Sequence, residues 1–196
     1  MITIAWDVDD VLNDLMRSWL VRGWVPKHPG CILSFEQITQ NTPERILNCT
    51  REEYQESLDN FRLSGEYLDL EPDRQLLSWF KQYGHQVRHI ALTAVPLKAA
   101  HISAGWVMNN FGQWIRSFNF IPSLREGEQV PEYDLTKADY LKRAGNIDIL
   151  VEDSPVNIAQ AQVVGIKGLL LKKPWNKSNL TLKDALTEIN GLIARK

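Results

Sequence analysis

The chain has 196 residues, 44% apolar and 23% charged, which suits one α/β domain or a core domain with a modest insert and excludes wholesale disorder. Its formal charge of −2, from 22 Lys and Arg against 24 Asp and Glu, argues against a nucleic-acid coat or a polybasic membrane binder. No apolar run reaches the roughly 18 residues of a membrane span, and the opening Met1-Ile2-Thr3-Ile4-Ala5-Trp6-Asp7 lacks the basic region of a signal peptide.

The first predicted strand is 1–8, short, apolar and β-branched, and it runs into a cluster of acids. Residues 14–71 then hold no convincing buried strand. They carry helical patterns at 15–23, 35–47 and 51–61, punctuated by Pro26, Pro29 and Pro43. An insert of this length far exceeds the usual 2–6 residues of a βα connection, so it is expected to be a small helical cap domain. A helix over 73–83, stopped by Gly84, leads to a strand over 87–92. A helix over 97–111, a strand over 115–121 and a helix over 137–144 follow. A strand over 147–151 precedes a helix over 155–164, with Ser154 as N-cap and Pro155 at the first helical position. A strand over 166–171 and a helix over 182–194 close the chain. This alternation implies βαβ units and a Rossmann-like parallel sheet. The expected division is 1–13 and 72–196 as the α/β core domain and 14–71 as the cap. Cys31 and Cys49 show neither metal-ligand pairing nor a disulfide framework, so a reducing cytoplasm is the expected compartment.

Ligands of parallel α/β sheets bind at the carboxyl ends of the strands. Four polar groups stand at such places or at helix starts: Asp7-Val8-Asp9-Asp10, Thr93, Lys137 and Glu152-Asp153-Ser154-Pro155. Carboxylates converging at one sheet edge repel each other, and a hard divalent cation such as Mg²⁺ relieves this while leaving room for phosphate oxygens. A lysine adds fixed positive charge, a hydroxyl and free N–H groups hold phosphate, and an aspartate can serve as nucleophile. Each group alone has a plainer explanation, as a turn former, a strand-end hydroxyl, a solvated lysine or a helix cap. Their conjunction in order is what points to catalysis.

Asp7-Val8-Asp9-Asp10-Val11-Leu12, Thr93, Lys137 and Glu152-Asp153 resemble the four motifs of the haloacid dehalogenase superfamily, and the insert resembles that family's cap in its first position. Asp7 through Leu15 and Leu68-Asp69-Leu70-Glu71-Pro72 look most like the 5'(3')-deoxyribonucleotidase-like branch. The resemblance implies strand order 3-2-1-4-5 and a Mg²⁺-dependent phosphatase. Asp7 would be the nucleophile and Asp9 the general acid and base. Thr93 and the Ala94 N–H would hold the phosphoryl oxygens, and Lys137 would neutralise Asp7 and the transferring group. Asp153 would bind Mg²⁺ with the Asp7 carboxylate and the Asp9 backbone carbonyl, while Glu152 would reach the metal only through water. Asp10 departs from the glycine common at its position, in a turn whose left-handed geometry Asp tolerates. Ala94 departs from the family's Ser or Asn, removing one phosphate contact.

The expected substrate is a small phosphorylated metabolite, with no nucleic-acid polymer and no membrane as partner. The cap aromatics Trp19, Trp24, Phe35, Tyr54, Phe61 and Tyr67 mostly build its own core, but one or two facing the cleft would suit a nucleobase, which favours a nucleoside monophosphate. A sugar phosphate, or a catalytically silent metal-binding module of the same fold, are the alternatives. Trp79 and Trp106 read as core, Trp6 as packing against a flanking helix, His89 as a satisfied core histidine, Lys98 as a solvated helix lysine, and Trp175 as bordering the site.

Overall fold

The computed structural model describes residues 1–195. β1 (Thr3–Trp6) leads into the insert, which holds α1 (Leu15–Ser18), a π-helical continuation at Trp19–Trp24, α2 (Glu44–Leu47), α3 (Arg51–Arg62) and α4 (Gly65–Leu68). α5 (Arg74–Tyr83), β2 (Arg88–Val95), α6 (Ala100–Phe111), β3 (Ile115–Pro122) and α7 (Lys137–Ala144) follow. β4 (Ile149–Glu152), α8 (Pro155–Val163), β5 (Lys167–Leu170) and α9 (Leu182–Ile193) complete the described residues. The strands form one parallel sheet in the order β3-β2-β1-β4-β5. This is the expected order, with β1 central and the chain switching direction between β1 and β4.

Local chemistry sets the element ends. Thr136 caps α7 by accepting from the Asp139 N–H, and Asp139 returns a bond to the Thr136 N–H. Gly145 then closes α7 at φ 71°. Trp6, fully buried on β1, packs on Trp79 and Phe80 of α5 and donates from Nε1 to His89 Nδ1 at 3.0 Å. His89 must therefore carry its proton on Nε2, which donates to the Gly84 carbonyl. Burial lowers its pKa to about 4, so it is a neutral core residue, as the sequence suggests.

Three sequence expectations are corrected. The helix expected over 35–47 is instead a 3₁₀ turn at Phe35–Gln37 and the short α2. Ser34 and Gln37 close a capping box around the first, and Pro43 starts the second anew, since its ring removes the N–H that a continuous helix needs. The helix expected to stop at Gly23 runs on through Trp24. Gly23 is there for close approach, because a Cβ would meet Phe61 and Trp19 side-chain atoms at 3.0 Å. β2 continues three residues past its expected end, because Thr93, Ala94 and Val95 stay paired with Phe120, Ile121 and Pro122. Thr93 thus lies within the strand.

The insert returns to the sheet where the Asp73 N–H donates to the Leu12 carbonyl. Its aromatic residues belong to the same contiguous apolar cluster as Ile4, Trp6 and Leu169 of the sheet. Among the described residues, no helix is long and apolar enough to cross a membrane.

Candidate active site

At the carboxyl edge of the sheet, a cavity of about 300 Å³ is lined by Asp7, Asp9, Thr93, Ala94, Lys137, Glu152 and Asp153. Every residue expected from sequence to act in the site is therefore at one place. Asp7 is the first residue beyond β1, and its N–H is still bonded to the Val151 carbonyl of β4, which fixes its direction. The next turn folds tightly, with the Val8 carbonyl accepting from Leu12 and Asn13. Asp10 adopts the left-handed φ of 63° that its position requires, and its carboxylate accepts from the Met16 N–H at the start of α1.

Lys137, at the first helical position of α7, is buried, and its Nζ lies 2.9 Å from Asp7 Oδ1 and 2.5 Å from Glu152 Oε2. Burial pulls its pKa down, but Asp7 and Glu152 outweigh this and raise it, so it is a fixed cation. The Val8 N–H also donates to Asp7 Oδ1, and Trp175 Nε1 donates to Asp153 Oδ2 at 2.7 Å. These bonds hold one oxygen of Asp7 and one of Asp153, leaving the second oxygen of each for a cation. Trp175 thus borders the site, as expected.

The electrostatics show a shortage of positive charge. Burial, followed by the nearby Glu152, lifts Asp7 from its ordinary 3.8 to about 8, despite Lys137. Burial and then Asp7 lift Asp153 to about 7. Burial raises Asp10 to about 7, against the pull of Lys173. One ligand atom from each of Asp7, Glu152 and Asp153 lies within 4.8 Å of the others. Oxygen donors this close, two of them with an uncommitted oxygen, fit a hard divalent cation. Glu152 is the least available of the three. Its Oε2 takes Lys137, and its Oε1 accepts from the Asp153 and Ser154 N–H groups.

Asp9 faces the other way, toward the insert. Its Oδ2 accepts from Arg62 Nε at 3.2 Å and Nη2 at 3.0 Å, and its Oδ1 accepts from Tyr67 at 2.9 Å and Asn13 at 3.3 Å. Neither Arg62 nor Asn13 was a sequence candidate, and Tyr67 was read only as an aromatic. A signal for Arg62 was present: it lies four residues after Leu58 on the face that Tyr54 and Leu58 bury, where a charge is out of place. Asp59 and Arg125 were missed as well. Lys98 is about half exposed, but its Nζ lies 3.2 Å from the buried Asp59 and so is not simply solvated. Of the expected cap aromatics, only Tyr54 lines this cavity, and it is buried edge-on to Trp19.

The five-stranded order, the acids beyond β1 and β4 and the lysine at the start of α7 together define an α/β fold of the haloacid dehalogenase type. Solved structures of that type superpose over the full chain. A haloacid dehalogenase-like hydrolase from Streptococcus pneumoniae matches with a TM-score of 0.61 and 14% identity, over 100% of this chain and 99% of that one. A protein predicted to be a phosphatase, from Clostridium acetobutylicum, matches at 0.60 and 15%, again over 100% and 99%. A HAD-hydrolase candidate from Bacillus subtilis, solved with bound magnesium, matches at 0.61 and 14%, over 98% of each chain. No protein-family model and no curated protein matches the sequence.

Proposed function

We propose that the chain is a Mg²⁺-dependent phosphomonoesterase that passes the phosphoryl group through Asp7. The observation that carries this reading is the buried group of Asp7, Glu152 and Asp153 with Lys137 between the first two. Such a group is costly unless it serves a bound cation and an anionic substrate. Asp7 Oδ2 and Asp153 Oδ1, with the Asp9 carbonyl, would hold Mg²⁺, which when bound supplies positive charge to the phosphoryl oxygens. Glu152 orients Lys137 and the Asp153–Ser154 backbone.

An Asp7 oxygen attacks phosphorus as the ester P–O bond breaks, giving an aspartyl phosphate. Asp9 enters this step protonated, gives that proton to the departing alkoxide, and is left as the carboxylate that Arg62 pairs with. Asp9 then takes a proton from water as the water oxygen attacks phosphorus, releasing inorganic phosphate and restoring Asp7. Lys137 neutralises charge on Asp7 and the transferring group, and the Thr93 hydroxyl and Ala94 N–H hold its oxygens. A nucleoside monophosphate is favoured only by the resemblance of 7–15 and 68–72 to the deoxyribonucleotidase-like branch, and none of 68–72 lines the cavity. The polar lining and the buried position of Tyr54 favour a more compact metabolite, because neither offers an open ring face for a base.

The test is phosphate release from a broad panel that includes deoxynucleoside monophosphates and hexose phosphates, with Mg²⁺ and with excess chelator. Turnover should require Mg²⁺. No turnover on the whole panel while Mg²⁺ still binds would instead favour a silent metal-binding module. Higher kcat/KM for deoxynucleotides would restore the nucleotidase reading.

A further inference from the structure

The wall of the cavity that faces the insert carries two guanidiniums that the proposed chemistry does not use. The Arg62 side chain, at the end of α3, is 10% exposed and the Arg125 side chain, on the loop after β3, is 16% exposed, and both line the cavity. Arg125 Nε and Nη2 grip Asp59 at 2.8 and 2.7 Å, and its Nη1 donates to Ser123. Lys98 approaches the same carboxylate. Burial would raise Asp59, but Arg125, Arg62 and Lys98 outweigh it and hold the group below its ordinary range. Three cations, Arg62, Lys98 and Arg125, thus face two carboxylates, Asp9 and Asp59, an excess of one positive charge. Arg62 commits Nε and Nη2 to Asp9, whereas its Nη1 makes no hydrogen bond among the described residues and stands 3.6 Å from Asp59.

We infer that Arg62 and Arg125 form the specificity end of the cavity, and that the substrate is a compact phosphomonoester carrying a second anionic group, a carboxylate or another phosphate. This rests on the phosphomonoesterase reading. A guanidinium presents a planar fork that matches either anion. The cavity, about 300 Å³, lies at the small end of ligand pockets, which suits a phosphate joined to its second anion by a few bonds. A tail anion on Nη1 would also brace the Arg62 fork across Asp9, tying recognition of the tail to the placement of the group that serves the leaving oxygen.

The experiment uses the full chain with Mg²⁺ and compares ethyl phosphate, phosphoglycolate and ethylene glycol bisphosphate, with p-nitrophenyl phosphate as the reference for phosphoryl transfer. The anionic tails should raise kcat/KM about 10- to 100-fold over ethyl phosphate, as expected for one added charge-assisted contact. Whichever of the two ranks first identifies the anion. Arg125→Met should collapse that ratio toward one, and Arg125→Lys should keep part of it. In case these variants fold poorly, inhibition of the unaltered protein gives an independent reading: 3-phosphonopropanoate should inhibit p-nitrophenyl phosphate hydrolysis at least ~10-fold more strongly than propylphosphonate. Hydrolysis of p-nitrophenyl phosphate and ethyl phosphate with no gain from either anionic tail would overturn the inference and leave the phosphatase standing. No hydrolysis of p-nitrophenyl phosphate would overturn both.

Discussion

The two sides of the cavity carry opposite imbalances of charge. On the sheet side, Asp7, Glu152 and Asp153 are buried around one lysine, Lys137, and their pKa values rise for want of positive charge. On the insert side, Asp59 is surrounded by three cations, and its pKa falls. On the proposed function, the contrast assigns the metal to the first side and the substrate's second anion to the other. It also separates two ways of placing a functional group. On the sheet side, residues stand where strands end, so the fold dictates their convergence. On the insert side, Arg62 reaches the cavity, and Asp59 reaches its partner Arg125, only through the packing of α3 against the core.

The contrast is sharpest at the two aspartates of the first motif, where the largest effects are expected. On the proposed mechanism Asp7→Asn removes the nucleophile and a metal oxygen, and turnover of every ester should fall below detection. Asp9→Asn keeps the backbone carbonyl but loses proton transfer, a loss of about 10²–10⁴-fold on an alkyl ester. A nitrophenyl ester, whose leaving group needs no proton, should lose far less. Equal losses on both esters, with phosphoenzyme formation limiting each, would remove Asp9 from the acid role. Because Arg62 would lose its charged partner in this variant, a thermal melt must accompany the kinetics.

This difference also explains what could be read without coordinates. Trp6, Asp7, Lys137 and Asp153 were legible because short apolar strands, a capping Thr136 and a Ser154-Pro155 helix start are local signals. The left-handed backbone at Asp10 followed from the family resemblance, which places a glycine there, and Asp tolerates the same turn. The insert was legible as helical but not in its breaks. The 35–47 pattern looked continuous, although a capping box and Pro43 divide it. Arg125 lies on an irregular loop, and nothing in its neighbours announces Asp59, 66 positions away. Such long-range ion pairs have no period to betray them.

A middle-sized effect tests the sheet side from behind. Trp175 holds Asp153 by a 2.7 Å bond to Oδ2, which leaves Oδ1 for the proposed cation. Trp175→Phe keeps the ring's packing against Phe35 but deletes the donor. Outer hydrogen bonds of this kind are worth about 10–100-fold in metal affinity. The Mg²⁺ concentration for half-maximal activity should rise by roughly that factor, with kcat recovered at saturating Mg²⁺. An unchanged Mg²⁺ requirement would mean that Asp153 is oriented without it.

The smallest expected effect is on stability, and its sign follows from the raised carboxylates. Asp7, at about 8 in the fold against its ordinary 3.8, and Asp153, at about 7, keep their protons where the unfolded chain has released them. The folded state therefore binds more protons between about pH 4 and 8, and the stability of the cation-free protein falls as pH rises through that window. Mg²⁺ at the proposed site would take the ionised carboxylates, so it would have to displace those protons and would bind best at the upper end. At a concentration of 100 times Kd a ligand adds about 2.7 kcal/mol, and each kcal/mol moves Tm by about 2–4 °C in a chain of this size. Saturating Mg²⁺ should thus raise Tm by about 5–10 °C at pH 8 and much less at pH 5.5. Asp153→Asn should remove most of the Mg²⁺ effect while making the cation-free protein less sensitive to pH. An equal Mg²⁺ shift at both pH values would show that the carboxylates are ionised throughout, and that Lys137 alone supplies the positive charge they need.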